Sequence, residues 1–416
     1  MVQESYNIKD DTLVTGNSGE ALVDTYQTMA QQAETRGSLL GNHWKFYWKY
    51  LMGISPIFSE NLSEIPPAQK LKGISHWSNI NLRALFYLRA LARNNSLLTP
   101  LVSRQTTRLL QQVSENNPVA EDQPLPVWQF EKDGDADAFY ERWIRKPHPV
   151  VIKGFKSKAQ LWSVQGLADR FSETKVIFTN QDAQNYKAPL SHLFEDPNSV
   201  VHNCGSLFVE HPEIINELSM KSFEPYMRAR GPVGQLFFAN KKGTGTPLHC
   251  ASNFNLFFQF EGRKRWWFID PNHTMLLYPF STDTNAYQVS TVSMPNNPDI
   301  EKNFPLFKYC PRYRVELEPG DVLLSPSWWY HAVENVTERT LAAASRWFPP
   351  DMVDTNRLYS VLHTEPRFIL YILRTVLAAK KRGERINSWL FLEQTAHDNA
   401  MERAASAEGK AAWGIN

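Results

Sequence analysis

The stretch Gly243-Thr-Gly-Thr-Pro-Leu-His249-Cys-Ala251-Ser-Asn-Phe-Asn255-Leu-Phe-Phe-Gln-Phe-Glu-Gly262-Arg-Lys264-Arg-Trp-Trp-Phe-Ile-Asp-Pro271 decides how this chain reads. It is rich in aromatic and apolar residues and is punctuated by glycine and proline, the pattern of strands and turns. On a strand, alternate residues share a face. His249, Ala251, Asn253, Asn255, Phe257 and Gln259 therefore fall on one face. Glu261-Gly262 reads as a turn, and Lys264, Trp266 and Phe268 share a face on the return strand. A lysine is seldom buried without a partner, so an inward Lys264 implies an anion inside. The rival reading makes Lys264 a surface residue of the basic run Arg263-Lys264-Arg265.

A second segment completes the pattern: Leu317-Glu-Pro-Gly-Asp-Val-Leu-Leu-Ser-Pro-Ser-Trp-Trp-Tyr-His331-Ala-Val-Glu-Asn335. Pro319-Gly320-Asp321 is a turn, a strand follows it, and His331 comes after an aromatic cluster. Trp328 and Trp329 are expected to pack rather than to carry substrate. Leu341-Ala-Ala-Ala-Ser345 is built from small residues, which leave space beside them for a ligand.

Working outward, further strand-like runs occur at 150–152, 175–179, 205–210, 235–239, 312–317, 322–325 and 340–347. Many short strands separated by turn residues predict a jelly roll. Residues 1–122 read as a helical N-terminal region, from the spacing of Leu22, Val23, Tyr26 and Met29, of Trp44, Tyr47, Trp48 and Leu51, and of Leu82, Leu85 and Phe86. Ser114 to Pro126 reads as a linker or boundary. Residues 351–416 return to a helical period, with Lys380 to Arg385 as a solvated break. The expected fold is α+β, a barrel over 123–350 flanked by helical regions.

Composition excludes several classes. The chain has 416 residues, 42% hydrophobic and 21% charged, which is a globular balance rather than a disordered one. Lys+Arg 44 against Asp+Glu 43 provides no field to attract a polyanion, so no nucleic-acid partner is expected. Cys204, Cys250 and Cys310 are too few for a disulfide framework, and a reducing, cytoplasmic setting is expected. The polar N-terminus has no apolar signal core, and the apolar stretch Phe368–Ala379 is short and holds Arg374. No membrane partner is expected. Phosphate-binding Gly-rich loops and a His-Glu-x-x-His motif are absent from the sequence.

The two quoted segments resemble the cupin-like, Jumonji-C-type oxygenases, and most of all the branch containing the asparaginyl hydroxylase of hypoxia-inducible factor. The resemblance covers about Val127 to Pro350. It is carried by Thr246-Pro-x-His249, by Asn255 six residues later, by Gly262-x-Lys264, and by Pro319-Gly-Asp-Val-Leu followed by Pro326-x-x-Trp329-x-His331. Pro149-Val-Val-Ile152 and Leu161-Trp162 resemble the opening of these domains. The resemblance implies a double-stranded β-helix (jelly-roll, cupin) barrel using Fe(II), 2-oxoglutarate and O2. It implies that His249 and His331 hold iron, that Thr246 and Lys264 hold the distal carboxylate of 2-oxoglutarate, and that Asn255 lines the cosubstrate pocket. Phe208 matches a cosubstrate-contacting tyrosine, and Ser345 a polar residue near the iron.

The departure is at Ala251. The family carries His-x-Asp or His-x-Glu, whereas this chain reads His249-Cys250-Ala251. An alanine cannot ligate, so a two-histidine, one-carboxylate triad loses its carboxylate. Three readings follow. Chloride or bromide fills the position, which resembles the 2-oxoglutarate-dependent halogenases with their Ala or Gly here. Alternatively, Cys250, Glu334 or water substitutes in a hydroxylase, although both side chains have the wrong strand parity. In the third reading the barrel is a non-catalytic interaction module. The first is favoured, with Ala251 as the halide site and a small-molecule or carrier-bound substrate preferred over a protein. The C-terminal helices, apolar on one face, are expected to form a homodimer interface, as the resemblance also implies.

Overall fold

The computed structural model describes residues 71–73, 81, 84–85, 98–179, 185–195, 200–204, 207, 211, 213–229, 233–239, 241–251, 254–280, 287–347 and 349. The helical expectations for most of 1–97 and for 351–416, the dimer face and Phe208 lie outside the described residues.

The strands, numbered along the chain, begin with β1 (Asp122–Pro124), β2 (Val127–Gln129), β3 (Val150–Lys153), β4 (Lys175–Thr179), β5 (Asn185–Pro189) and β6 (Val200–Cys204). They continue with β7 (Val233–Ala239), β8 (Gly245–Ala251), β9 (Phe254–Glu261), β10 (Lys264–Ile269), β11 (Pro279–Phe280) and β12 (Tyr287–Ser290). The last are β13 (Arg312–Leu317), β14 (Val322–Ser325), β15 (Tyr330–Asn335) and β16 (Thr340–Trp347). Among the described residues they form a seven-stranded sheet, β1-β13-β10-β15-β8-β12-β11, and a nine-stranded sheet, β2-β3-β14-β9-β16-β7-β6-β4-β5.

From β7 onward the chain shuttles between the sheets. β7, β9, β14 and β16 lie in the larger sheet, while β8, β10, β13 and β15 lie in the smaller one. Their inner faces meet in one apolar layer. Phe257, Leu323, Ala342 and Ala344 pack there with Trp266, Phe268, Tyr313 and Val333. The Phe257 and Trp266 rings touch edge to face at 4.7 Å. This arrangement is consistent with a jelly roll.

Both outer faces are covered, which is why the central strands read as near-continuous apolar runs. Leu256, Phe258, Phe260, Leu324 and Ala343 pack beneath the 128–178 segment. Leu248, Cys250, Trp267 and Ile269 pack beneath helix α1 (Thr99–Asn116). That helix has Pro in its first turn, where a missing N–H costs nothing. It buries Val102, Leu109 and Val113, spaced seven and four apart along one face.

The structure bears on two expectations. Of linker and boundary, residues 114–126 fit the second, since α1 ends at Asn116 and Asp122 already opens β1. Asp122–Pro124 pairs with β13, and Val127–Gln129 pairs with β3, so this segment adds an edge strand to each sheet. The face running from His249 to Gln259 is not one strand. β8 ends at Ala251 and β9 starts at Phe254 in the opposite sheet. Because the two inner faces meet, Phe257 still points into the same interior as the inner residues of β8 and β10.

Gly262 makes the crossing from β9 to β10. Its φ is +67°, and a Cβ there would sit 1.9 Å from the carbonyl oxygen of Arg339. A backbone oxygen cannot yield as a flexible side chain would. Gly262→Ala is expected to destabilise the fold by about 2–3 kcal/mol, the upper range for single substitutions. Urea unfolding checks this, and a wild-type midpoint would show that the turn tolerates a Cβ. No described helix is long and apolar enough to cross a membrane.

Candidate active site

His249 and His331 stand opposite each other on neighbouring strands, β8 and β15. Their ring centroids are 4.3 Å apart. Both are buried, at 7% and 8% exposure. His249 Nδ1 lies 2.7 Å from the Pro247 carbonyl oxygen, and His331 Nδ1 lies 3.0 Å from that of Trp329. In each case the carbonyl is two residues back. A carbonyl only accepts, so both Nδ1 atoms carry the proton and both lone pairs are on Nε2. That is the tautomer an Nε2 metal ligand requires, fixed by the backbone. Trp266 stacks on the His331 ring at 5.6 Å and Phe268 lies at 5.8 Å.

Local backbone features set this pairing. Trp328 has φ +65°, an uncommon value for a bulky residue. Its N–H donates to the Ala251 carbonyl at 2.7 Å, tying the end of β8 to the start of β15. Its side chain is buried on the outer side of the sheet, while Trp329 packs inside and donates its indole N–H to Pro147 at 2.9 Å. Both tryptophans pack, as expected. The register of β15 against β8 also slips by one residue, since His331 faces His249 but Val333 faces Thr246. This bulge turns Thr246 to the side of Val333, an inner residue, despite its odd spacing from His249.

Lys264 lies deeper in the same interior, on β10 opposite Asn335. It is 5% exposed, which overturns the surface reading. Its Nζ donates to Asn335 Oδ1 and, at 3.1 Å, to Thr340 Oγ1. Asn335 in turn donates to Thr244 Oγ1 at 2.7 Å. These partners are neutral, and burial lowers the ammonium to about 7. The sequence reading missed Asn335, Thr340 and Thr244. Strand parity with His331 was the available signal for Asn335.

Ala251 ends β8 two residues after His249, on the same face and partly exposed. The two substitute-ligand candidates face away. Cys250 is buried in the outer layer beneath α1, and Glu334 is paired with Arg265 at 3.0 Å. Among the described residues no group of three or more His, Cys, Asp or Glu is placed to hold a metal ion.

Asn255 lies on β9 between Ser325 of β14 and Arg346 of β16. Its Oδ1 is buried and has no hydrogen-bond partner, and the same holds for Trp266 Nε1 and Gln259 Oε1. Orphaned polar atoms of this kind are costly and ask for a polar occupant. The Trp266 Nε1–H donor and the Lys264 ammonium fit an anionic cosubstrate bound beside a metal on the two histidines, whereas the two amide oxygens accept and ask for a donor. Ser345 is placed differently from its expected pocket position. It shares the outer face with Leu341, Ala343 and Trp347 and accepts the Trp347 indole N–H at 2.7 Å. Arg346 takes the inner face with Ala342 and Ala344. A run of small residues carries no polar alternation, so the sequence did not show which parity faces inward.

Residues 178–354 match the family model of the cupin-like domain. The chain is similar to HSPB1-associated protein 1 of Homo sapiens, 29% identical over 196 residues, covering 46% of this chain and 38% of that protein. It is similar to tRNA wybutosine-synthesizing protein 5 of Homo sapiens, 30% identical over 165 residues, covering 38% and 45%. It is also similar to JmjC domain-containing protein D of Dictyostelium discoideum, 35% identical over 97 residues, covering 23% and 21%. The chain thus spans less than half the length of each of these relatives. The paired sheets and the facing histidines are consistent with the cupin-like domain whose family model residues 178–354 match.

Proposed function

We propose that this domain binds Fe(II) and 2-oxoglutarate and uses O2 to oxidise an unactivated C–H bond of a small-molecule or carrier-bound substrate. The observation that carries the reading is the pair of facing imidazoles, both locked as Nδ1–H tautomers, with a buried lysine on the same inner face. His249 and His331 would hold the iron, which with 2-oxoglutarate as co-reductant supplies the activation of O2. Lys264 would hold the distal carboxylate, helped by Thr246. Trp266 and Phe268 pack against the His331 ring, and Phe257 packs on Trp266. The anaerobic test is titration with Fe(II) and then 2-oxoglutarate, read by metal content and by the visible charge-transfer band. Absence of both would favour a non-catalytic interaction protein.

The finer reading is transfer of chloride or bromide to the substrate, with Ala251 leaving the halide position. It is supported by the inner placement of Ala251 and by the outward turn of Cys250 and Glu334. Without those side chains, the hydroxylase alternative relies on water as the added ligand. Ala251→Asp is expected to tighten iron binding by at least the roughly 10–100-fold typical of outer-shell changes. It should also abolish any effect of chloride on the charge-transfer band. Circular dichroism must first show that the added charge leaves the fold intact. Under O2, a wild-type site indifferent to chloride and yielding only oxygenated products would discard halogenation and keep the oxygenase.

A further inference from the structure

A ladder of touching rings leads out of the inner apolar layer. Its inner end is Trp329 and Tyr313, with ring centroids 6.1 Å apart. The Trp329 carbonyl accepts the His331 Nδ1–H at 3.0 Å. Tyr313 stands opposite Phe268, whose ring lies 5.8 Å from that of His331. His148 comes next, 5.0 Å from Trp329 and 5.1 Å from Tyr313. Trp143 lies 6.0 Å beyond His148, and Trp128 lies 6.4 Å beyond Trp143. Phe139 is 5.6 Å from Trp128, and Tyr226 is 5.5 Å from Phe139. Every step falls in the roughly 4.5–7 Å range of aromatic pairs in contact. Tyr226 is half-buried and lines an open cleft of about 300 Å³ with Phe130, Glu131, Lys156 and Ser222. That is the low end of the roughly 300–1,000 Å³ range of small-molecule sites.

The N–H groups along the ladder distinguish its middle from its outer end. Trp128 and Trp143 are buried, and neither Nε1–H has an acceptor. Trp329 donates to the Pro147 carbonyl, which is too weak a base to take a proton. An indole that loses an electron at any of these three positions keeps its proton, so the next ring outward can refill it. His148, which burial holds down to about 4, is neutral and places no cation in the path. Tyr226 differs. A phenol that loses an electron becomes a strong acid, and this one stands in an open cleft beside Glu131. It gives up its proton there and holds the radical at the surface.

We infer that this ladder carries oxidising equivalents from the iron site to Tyr226, where a small water-soluble one-electron donor in the cleft removes them. This rests on the reading proposed above and assigns the domain a second activity, protection of its own site. The oxidant arises when 2-oxoglutarate and O2 react with no substrate bound. 2-Oxoglutarate is then oxidised to succinate and CO2 with one oxygen atom, and the other stays on iron two electrons more oxidised than Fe(II). Two electrons pass inward along the rings, one at a time. Each leaves a phenoxyl at Tyr226, whose proton goes to Glu131 or water. The donor returns one electron and one proton to each phenoxyl and restores the phenol. The second oxygen atom leaves as water with two protons from solvent, and the iron returns to Fe(II).

The test exposes the full chain, loaded with Fe(II) and 2-oxoglutarate, to O2 without substrate. Freeze-quenched samples are read by electron paramagnetic resonance, and oxidised residues are mapped by peptide mass spectrometry. Wild type is expected to show a phenoxyl signal that ascorbate quenches. Tyr226→Phe removes one exposed hydroxyl and should abolish that signal. Trp143→Phe and Trp128→Phe each break the ladder at a different ring. Both should lose the signal and raise oxygen adducts on Trp329 and Trp266 severalfold, with melting curves showing that they fold. The inference is overturned if the phenoxyl signal survives in Tyr226→Phe. It is also overturned if neither folded tryptophan variant changes where damage falls. If wild type consumes no 2-oxoglutarate, the proposed function fails and the ladder is tested without metal. A ruthenium–bipyridine photo-oxidant is then attached to Ala251→Cys, at the inner end, with the site of labelling checked by mass spectrometry. A flash-induced phenoxyl that Tyr226→Phe and Trp143→Phe remove would establish the conduit, and one indifferent to both would overturn it.

Discussion

Lys264→Met is expected to remove measurable 2-oxoglutarate binding and to make the ligand-free protein more stable at pH 6 than wild type. The two effects have one cause. Lys264 is buried among neutral acceptors, and burial brings it down to about 7. Below that pH the folded protein holds a desolvated charge, which destabilises it. In the unfolded chain the same lysine stays protonated to its ordinary value of about 10.4. Between about pH 7 and that value the unfolded state therefore binds more protons, and stability rises with pH. Over pH 7 to 9 the gain is about 2–3 kcal/mol at roughly 1.4 kcal/mol per pH unit. Methionine removes the titration, so the variant's advantage should be largest at pH 6 and shrink by pH 9. Binding follows the opposite logic. A carboxylate needs the charged lysine, and breaking a buried ion pair by removing one partner costs about 3–5 kcal/mol, or roughly 100- to 5,000-fold in affinity. Wild-type affinity for 2-oxoglutarate should fall as pH rises above about 7, with uptake of up to one proton per ligand. Calorimetry in two buffers of different ionisation enthalpy measures that proton. Unchanged 2-oxoglutarate affinity in Lys264→Met would remove the cosubstrate role assigned to this lysine.

His331→Ala and His249→Ala are each expected to reduce retained iron to background after anaerobic loading and desalting. Most mononuclear iron sites of this kind keep two ligands when one is lost. Here the described residues place only two imidazoles together, so one substitution leaves a single protein ligand. The two variants should be equally severe, because both rings have the same burial and the same backbone acceptor two residues back. Iron equal to wild type in both would remove the metal reading, while 2-oxoglutarate binding through Lys264 would remain to be measured separately. Substitution of Trp328 is expected to cause a smaller loss, because its left-handed backbone and N–H bond to the Ala251 carbonyl tie β8 to the start of β15.

The sequence by itself determined several of the strand runs, the turn glycine and the residues of the two motifs, while the run expected at 205–210 has its described strand at Val200–Cys204 instead. β4, β13, β14 and β16 have the bounds their apolar and β-branched composition implied. Lys264, Trp266 and Phe268 share an inner face because a period of two admits no other arrangement on a regular strand. What sequence periodicity could not supply was the absolute side of each strand and the places where the period breaks. The bulge that brings Thr246 around beside His249 inserts one residue, and alternation counted along the chain predicts the opposite face. The crossing after Ala251 moves Asn255 to the sheet facing the one that carries the histidines, rather than along one strand with them. The Leu341–Ser345 run has small residues on both faces, so only packing against Phe257 and Trp266 on one side, and against the 128–178 segment on the other, decided that Arg346 points inward and Ser345 outward. Parity is local and legible, whereas the choice of face is a tertiary contact between residues far apart in the chain.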